Sequence, residues 1–243
     1  MRKIFLFLIT LLPVMAMAQT EEAFMINGKI GELNTPAKAY LIYKLGANQV
    51  IDSAGIIGGK FNLGGNILNP TSAILVVDHK GIGFEKLDST ADILNLYLEK
   101  GELGITAADS ASRAKITGSK LNDDDKTLKA LLEPINQKAR KITDITRNAT
   151  VAQKTPEFES ALHGRYKALQ AEQKSVIKKF ILSNPDSYLS LLALYSVDGP
   201  APDPFELDSL FNTLSPAIKN TETANNFKKA LEPLKHTAPG TMA

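Results

Sequence analysis

The sequence predicts an α+β chain, an N-terminal antiparallel β-sandwich followed by an all-α helical bundle. Three observations lead there. Between residues 22 and 118, short apolar or alternating segments recur at even spacing, closed by Gly, Asn, Asp or Pro. After Gly118 the apolar period lengthens to that of a helix. No helical pattern of roughly 10–15 residues separates the early segments, which argues against a parallel α/β sheet.

The strands follow in order. "FMINGKI" alternates Phe24, Ile26 and Lys29 around Asn27-Gly28. "AKAYLIYKL" is rich in β-formers, with Tyr40, Ile42, Tyr43 and Leu45, and Gly46-Ala47-Asn48 then turns the chain. "QVIDSAGI" and "KFNLGG" flank Gly58-Gly59, which reads as a hairpin turn. "SAILVVD" reads as a buried strand between Pro70 and Asp78. "ILNLYLEKGELGITA" divides into two strands at Lys100-Gly101, and "RAKITG" closes the set. The total is about seven to nine strands, the number a sandwich needs.

The helices come next. Leu121, Leu128, Leu131, Leu132, Ile135, Ile142 and Ile145 form a stripe over about 122–148, with Pro134 inside it as an expected kink or break. Thr155-Pro156-Glu157 is a helix start: a capping hydroxyl, a proline at the first helical position and an acid facing the helix dipole. That helix ends before Asn184-Pro185. "SYLSLLALYSV" is almost wholly apolar and reads as the buried helix of the bundle. Asp203 caps "PFELDSLFNTL", with Glu206 at the reciprocal capping position, and a last helix covers about 221–235. Five helices with short loops make an all-α unit.

Composition narrows the function. The chain has 243 residues, 44% apolar and 22% charged, enough for one large domain or two ordinary ones. Its net charge is +2, with no basic run of the kind phosphate backbones require, so nucleic acid is not an expected partner. It has no cysteine, which excludes disulfides, a Cys nucleophile and Cys-x-x-Cys chemistry within these residues.

The ends carry their own signals. Arg2 and Lys3 precede an apolar run from Ile4 to Met15, and Ala16-Met17-Ala18 has the small-x-small form of a cleavage site. Residues 1–18 therefore read as a secretory signal peptide. The run is shorter than the roughly 20 residues that span a bilayer, and Pro13 interrupts it. The expected protein is exported to the periplasm or cell envelope, with no integral membrane span after cleavage. The expected domains are a β-sandwich at 22–118, a helical domain at 119–236, and a linker or truncated further domain at 237–243.

A family resemblance rests on particular residues. "VIDSAGIIGGKFNLGGNILNP" carries Asp52-Ser53, Gly58-Gly59, Lys60-Phe61, Gly64-Gly65 and Pro70. "LYLEKGELGITAADSASRAKITGSKLND" carries Glu99, Gly101, Thr117-Gly118-Ser119 and Asn122. Together with "FILSNPDSYLSLLALY", these segments resemble a domain of unknown function and the helical region after it. Both lie at the N-terminus of Bacteroidota thioredoxin-like proteins of the TlpA/ResA, AhpC/TSA type. The resemblance implies that a thioredoxin-fold domain follows. It opens with Gly-x-x-Ala-Pro-x-Phe, and Gly240 and Ala243 of "PGTMA" match its first part. The Cys-x-x-Cys of that domain is absent here, so the resemblance assigns no catalytic residue to this sequence.

Local motifs add no chemistry. His79, His163 and His236 have no second ligand at metal spacing. The acids of "NDDDK" at 122–126 lack the alternation and terminal glutamate of a calcium loop and read as a helix start. Gly58-Gly59 and Gly64-Gly65 lack the Gly-Lys-Ser/Thr of a phosphate loop. Ser53, Ser89, Ser110 and Ser209 each follow an aspartate and precede Ala, Thr or Leu. These resemble the triplet at which Bacteroidota O-glycosylate exported proteins; turn and cap chemistry explains them equally well. No catalytic, cofactor or metal residue is assigned.

Three readings of function remain. The first is a non-catalytic accessory module of an exported thioredoxin-like thiol-disulfide oxidoreductase. Its partner is a protein, either a thioredoxin-like domain in cis or in trans or a second copy in a homodimer. The second is a stand-alone envelope protein that binds a glycan, peptide or lipid in a pocket between sandwich and helices. The third, a hydrolase, needs titratable groups clustered in a cleft.

Overall fold

Among the described residues, alternating apolar residues build eight strands in two sheets of four. In chain order these are β1 (Glu22–Ile30), β2 (Lys38–Leu45), β3 (Asn48–Gly55), β4 (Lys60–Ile67), β5 (Thr71–Asp78), β6 (Asp92–Leu98), β7 (Gly101–Ala107) and β8 (Lys115–Thr117). The structure, a computed structural model, describes residues 21–197 and 202–237. The expected leader at 1–18, and all but Thr237 of the expected linker, lie outside the described residues.

The first sheet has the order β4-β1-β7-β8 and the second β3-β2-β5-β6. Neighbouring strands are antiparallel except β1 and β7, which run parallel. Inward residues of both sheets meet in one core that includes Phe24, Ile26, Leu41, Phe61, Leu75, Leu98, Leu103 and Ile105. Gly28 is needed there, since a Cβ would lie 2.1 Å from the Phe61 ring.

The Gly58-Gly59 turn is locally the expected hairpin turn, with Ile57 and Lys60 exchanging backbone hydrogen bonds at 3.0 Å across it. The strands it joins belong to different layers, since β3 lies in one sheet and β4 in the other. The chain crosses between layers there, held by Gly59 N–H donating to Leu33 O (2.7 Å) and Ile30 N–H donating to Gly59 O (2.8 Å). Gly59 has φ +76°, and a Cβ on it would sit 2.1 Å from Gly31 O, so only glycine fits this corner.

The helices are α1 (Lys120–Asn148), α2 (Pro156–Ser183), α3 (Tyr188–Val197), α4 (Pro204–Thr213), α5 (Pro216–Lys219) and α6 (Glu222–Thr237). The short α5 is additional to the five expected. Pro134 does not divide α1, which continues through it as one helix. Leu132 and Ile135 on either side pack against α2, which offsets the loss of one helical hydrogen bond. Thr155 caps α2 through Phe158 N–H, and Asp203 caps α4 through Phe205 and Glu206 N–H. The Glu206 carboxylate pairs with Lys174 and Lys178 of α2, tying α4 to its neighbour.

The bundle core holds Ile181, Leu191, Leu194, Leu210, Phe211 and Phe227. A smaller cluster joins bundle to sandwich, with Tyr97 of β6 packed among Leu121, Phe180 and Leu189. Among the described residues, no helix is long and apolar enough to cross a membrane.

Candidate functional site

The two sheets differ on their outer faces. In the first, the outward residues are polar or small: Asn27 and Lys29 on β1, Lys60, Asn62 and Asn66 on β4, and Glu102 and Thr106 on β7. Met25 is the exception, and it lies across from Gly64. In the second sheet the register places Ile51, Ile42 and Ile74 side by side across three strands. The adjacent row holds Tyr40, Val76 and Ile93. Ile51 is 48% exposed, and Ile74 and Ile93 are each 38% exposed. Val76, at the centre of the second row, is only 4% exposed, so the solvent-facing part of the band is Ile51, Ile74 and Ile93, with Tyr40 and Ile42 half-buried between them. One signal in the sequence pointed to it: β2 and β5 are apolar on both faces, the pattern of strands covered on both sides.

Each end of the band is closed by polar anchoring. At one end, α1 stands beside β6. The Asn122 carboxamide accepts from Tyr97 N–H (2.9 Å) and donates to Tyr97 O (2.8 Å). It occupies the edge of β6 as another strand would. Asn122 also donates to Ser119 Oγ, which donates to the Glu99 carboxylate, and Glu99 accepts from Leu121 N–H at 3.1 Å. Glu99, Ser119 and Asn122 were legible only as residues of the resemblance. Their joint role as a latch between sandwich and helices was not. Between this helix and the band lies an open cleft of about 370 Å³, lined by Ile42, Lys44, Ser72, Ile74, Tyr97 and Lys129 among others.

At the other end, the loop after β5 folds back over the sheet. Asp78 is buried and accepts from Lys80 N–H (3.1 Å) and Gly83 N–H (2.8 Å). Burial alone would raise its pKa, but the backbone donors outweigh that and hold the carboxyl below its ordinary value. Phe84 in this loop lies 5.5 Å from the Tyr40 ring.

Asp92, at the start of β6, gathers two of the residues singled out in the sequence. It accepts from Ser110 Oγ (2.5 Å) and from Ala111 N–H (2.7 Å), and it lies 2.8 Å from His79 Nε2. Its burial favours the neutral acid, yet the Ser110, His79 and backbone contacts prevail and lower its pKa. A hydrolytic triad needs histidine between serine and carboxylate. Here the carboxylate is in the middle, so Ser110 donates to Asp92 and not to the imidazole. The cluster fastens the short 3-10 turn Ala111–Arg113 to the sheet.

The remaining sequence candidates are dispersed. His163 is exposed on α2, and His236 lies in the last turn of α6. Among the described residues, no three His, Asp or Glu side chains converge as a metal site would require. In the acidic run, Asp124 pairs with Lys120 and Asp125 with Lys129. Ser53 on β3, Ser89 in a loop and Ser209 on α4 are exposed, whereas Ser110 is half-buried. No curated protein matches the chain. Residues 24–124, which span the sandwich from β1 through the Glu99–Ser119–Asn122 latch, match the family model of a domain of unknown function, DUF4369.

Proposed function

We propose that the chain is a non-catalytic interaction module of an exported protein system, and that it presents the apolar outer face of the β3-β2-β5-β6 sheet to a protein partner. The observation that carries this reading is the solvent-facing row Ile51-Ile42-Ile74 beside Ile93. Exposed apolar surface of this kind is unfavourable unless a partner covers it. The resemblance to the region preceding thioredoxin-like domains makes such a domain the expected partner, in cis or in trans. On this reading the module positions a redox domain that brings its own cysteines.

Methyl NMR on the isoleucines tests this directly. Titration with a separate thioredoxin-fold domain of the TlpA/ResA type should shift Ile42, Ile51, Ile74 and Ile93 and leave the core Ile26 and Ile105 unmoved. No shift on the outer face with millimolar partner would sink the proposal.

A second reading is a stand-alone binding protein for a glycan, peptide or lipid. The cleft between α1 and the sheet favours it, since its volume falls in the range of small-molecule sites and Lys44, Asp125 and Lys129 surround an apolar floor. The triplet serines belong to either reading as proposed O-glycosylation sites, with Ser53, Ser89 and Ser209 the accessible ones.

A further inference from the structure

The outer edge of β6 is covered at one point and bare beside it. The N–H and C=O of Tyr97 both point away from β5, where the Asn122 carboxamide meets them. In an antiparallel ladder this direction repeats every second residue. Asn95 and Ile93, which lie across from Ile74 and Val76 of β5, therefore point the same way as Tyr97. Among the described residues, the backbone N–H and C=O groups of Asn95 and Ile93 meet no hydrogen-bond partner.

A cleft runs along this bare stretch. β6, β8, α1 and the end of the 3-10 turn Ala111–Arg113 surround an open space of about 450 Å³. Its apolar lining is Leu94, Ala114 and Ile116, half-buried side chains packed against the sandwich core. Both ends are closed. Asn122 of α1 holds Tyr97 at one end, and Asp92 holds the 3-10 turn through Ala111 N–H at the other. Five residues of extended chain separate those anchors, about 17 Å at roughly 3.4 Å per residue.

We propose that this recess binds an extended segment of a partner polypeptide, which adds to β6 as a fifth strand over Ile93–Asn95. Backbone donors and acceptors at strand spacing are matched by another peptide backbone, which favours polypeptide over glycan or lipid. Leu94 and Ile116 call for a small or β-branched residue at alternate positions of that segment. Asn122 shows on Tyr97 that this edge takes a strand-like partner. Two other edges are blunted: β8 is three residues long, and on β3 the Asp52 carboxylate accepts from Ser53 N–H at 2.7 Å. A second copy of the chain fits less well. A recess walled by α1 and the 3-10 turn admits a single extended chain more readily than the edge of a folded sandwich. The site uses the backbone of β6 and does not depend on the isoleucine side chains that carry the reading above.

Amide hydrogen exchange followed by NMR on the whole chain is the test. In dilute solution Ile93 and Asn95 should exchange fast, while Leu94 and Leu96 are protected by β5 and Tyr97 by Asn122. The probe is the peptide acetyl-Thr-Val-Thr-Val-Thr-amide at millimolar concentration. It should slow exchange at Ile93 and Asn95 at least ~10-fold and leave the amides of β3 unchanged. The same peptide N-methylated at every residue keeps its side chains, loses its donors and should have no effect. Asn95→Pro removes an edge N–H without touching the ladder to β5, and should abolish the peptide's effect at Ile93. Slow exchange at Ile93 and Asn95 before peptide is added, no slowing with it, or equal slowing by the N-methylated peptide would overturn the proposal. So would equal slowing on β3, or an undiminished effect in Asn95→Pro. Protection that grows with chain concentration alone would make a second copy the occupant and overturn it too. The two peptides on the unaltered chain decide the matter even if the variant misfolds.

Discussion

The two outer faces of the sandwich share one core, yet one is surfaced largely with Asn, Lys, Thr and Gly and the other presents a cluster of isoleucines. On the first, Asn27 lies across from Asn62, and Lys29 across from Thr106. On the second, Ile42 lies between Ile51 and Ile74. A sheet needs one buried face to be stable, and the inward residues supply it in both cases. The outer isoleucines are therefore not required by the sandwich itself. The difference teaches that surface identity is set independently of the core, and it leaves the isoleucine face as the surface on which the proposed contact rests.

The largest expected effect lies where the apolar sheet meets the helices. Asn122→Leu removes both partners of Tyr97 and leaves its backbone N–H and C=O buried without hydrogen bonds. It should lower stability by about 2–4 kcal/mol, read as a lower urea midpoint with an unchanged slope. A loss below about 0.5 kcal/mol would mean that the latch is ornamental and that Tyr97 packing alone holds the helices on.

Acid should separate the two sheets next. Asp78 and Asp92 both have lowered folded pKa values and both sit at one end of the second sheet. A depressed carboxyl contributes stability that is fully present above its unfolded pKa of about 4 and is lost as pH falls through the folded value. Stability should therefore decline on acidification below about pH 4, and the paired variants Asp78→Asn and Asp92→Asn should flatten that slope while being weaker at neutral pH. A wild-type slope that persists in the double variant would place the acid-sensitive groups elsewhere.

Ser110 offers a smaller contrast within the triplet serines. Ser110→Ala removes a donor to Asp92 and should cost about 1 kcal/mol. Ser53→Ala, Ser89→Ala and Ser209→Ala, at exposed positions, should stay within about 0.5 kcal/mol in thermal unfolding. Peptide mapping of protein from its native host should find any added mass on these three and none on Ser110. Modified Ser110 would mean that its hydroxyl is free before the sandwich closes.

The smallest effect on stability falls on the isoleucine face. Ile51→Thr with Ile74→Thr should change the unfolding free energy by only about 1 kcal/mol, because both stay β-branched and the native side chains are already 48% and 38% exposed. The same pair should sharply reduce binding of a hydrophobic dye such as ANS. Placing Ile at Asn27 and Asn62 on the other sheet should create dye binding there. If neither exchange alters dye binding, the contrast between the faces has no consequence in solution.

Much of this architecture follows from the sequence alone, because it depends on local chemistry. Alternation at period two marked the strands, and the change of period after Gly118 marked the helices. Thr155-Pro156 and Asp203-Pro204 marked two helix starts, since a capping side chain satisfies backbone groups only a few residues away. The rest depends on residues far apart in the chain. Gly58-Gly59 forms the hairpin turn its composition suggests, but layer packing sends the strands on either side of it into different sheets. Pro134 has the chemistry of a break, but packing against α2 carried the helix through it. Asp92 meets His79 and Ser110, and Asn122 meets Tyr97, only once the strands are paired. Strand order decides which face of "YLIYKL" is core and which is surface, and period-two alternation cannot distinguish them when both faces are apolar. The sequence by itself determined the strands and the longer helices; the tertiary structure decided which apolar residues were left facing water, because burial is a property of neighbours that the chain brings together only on folding.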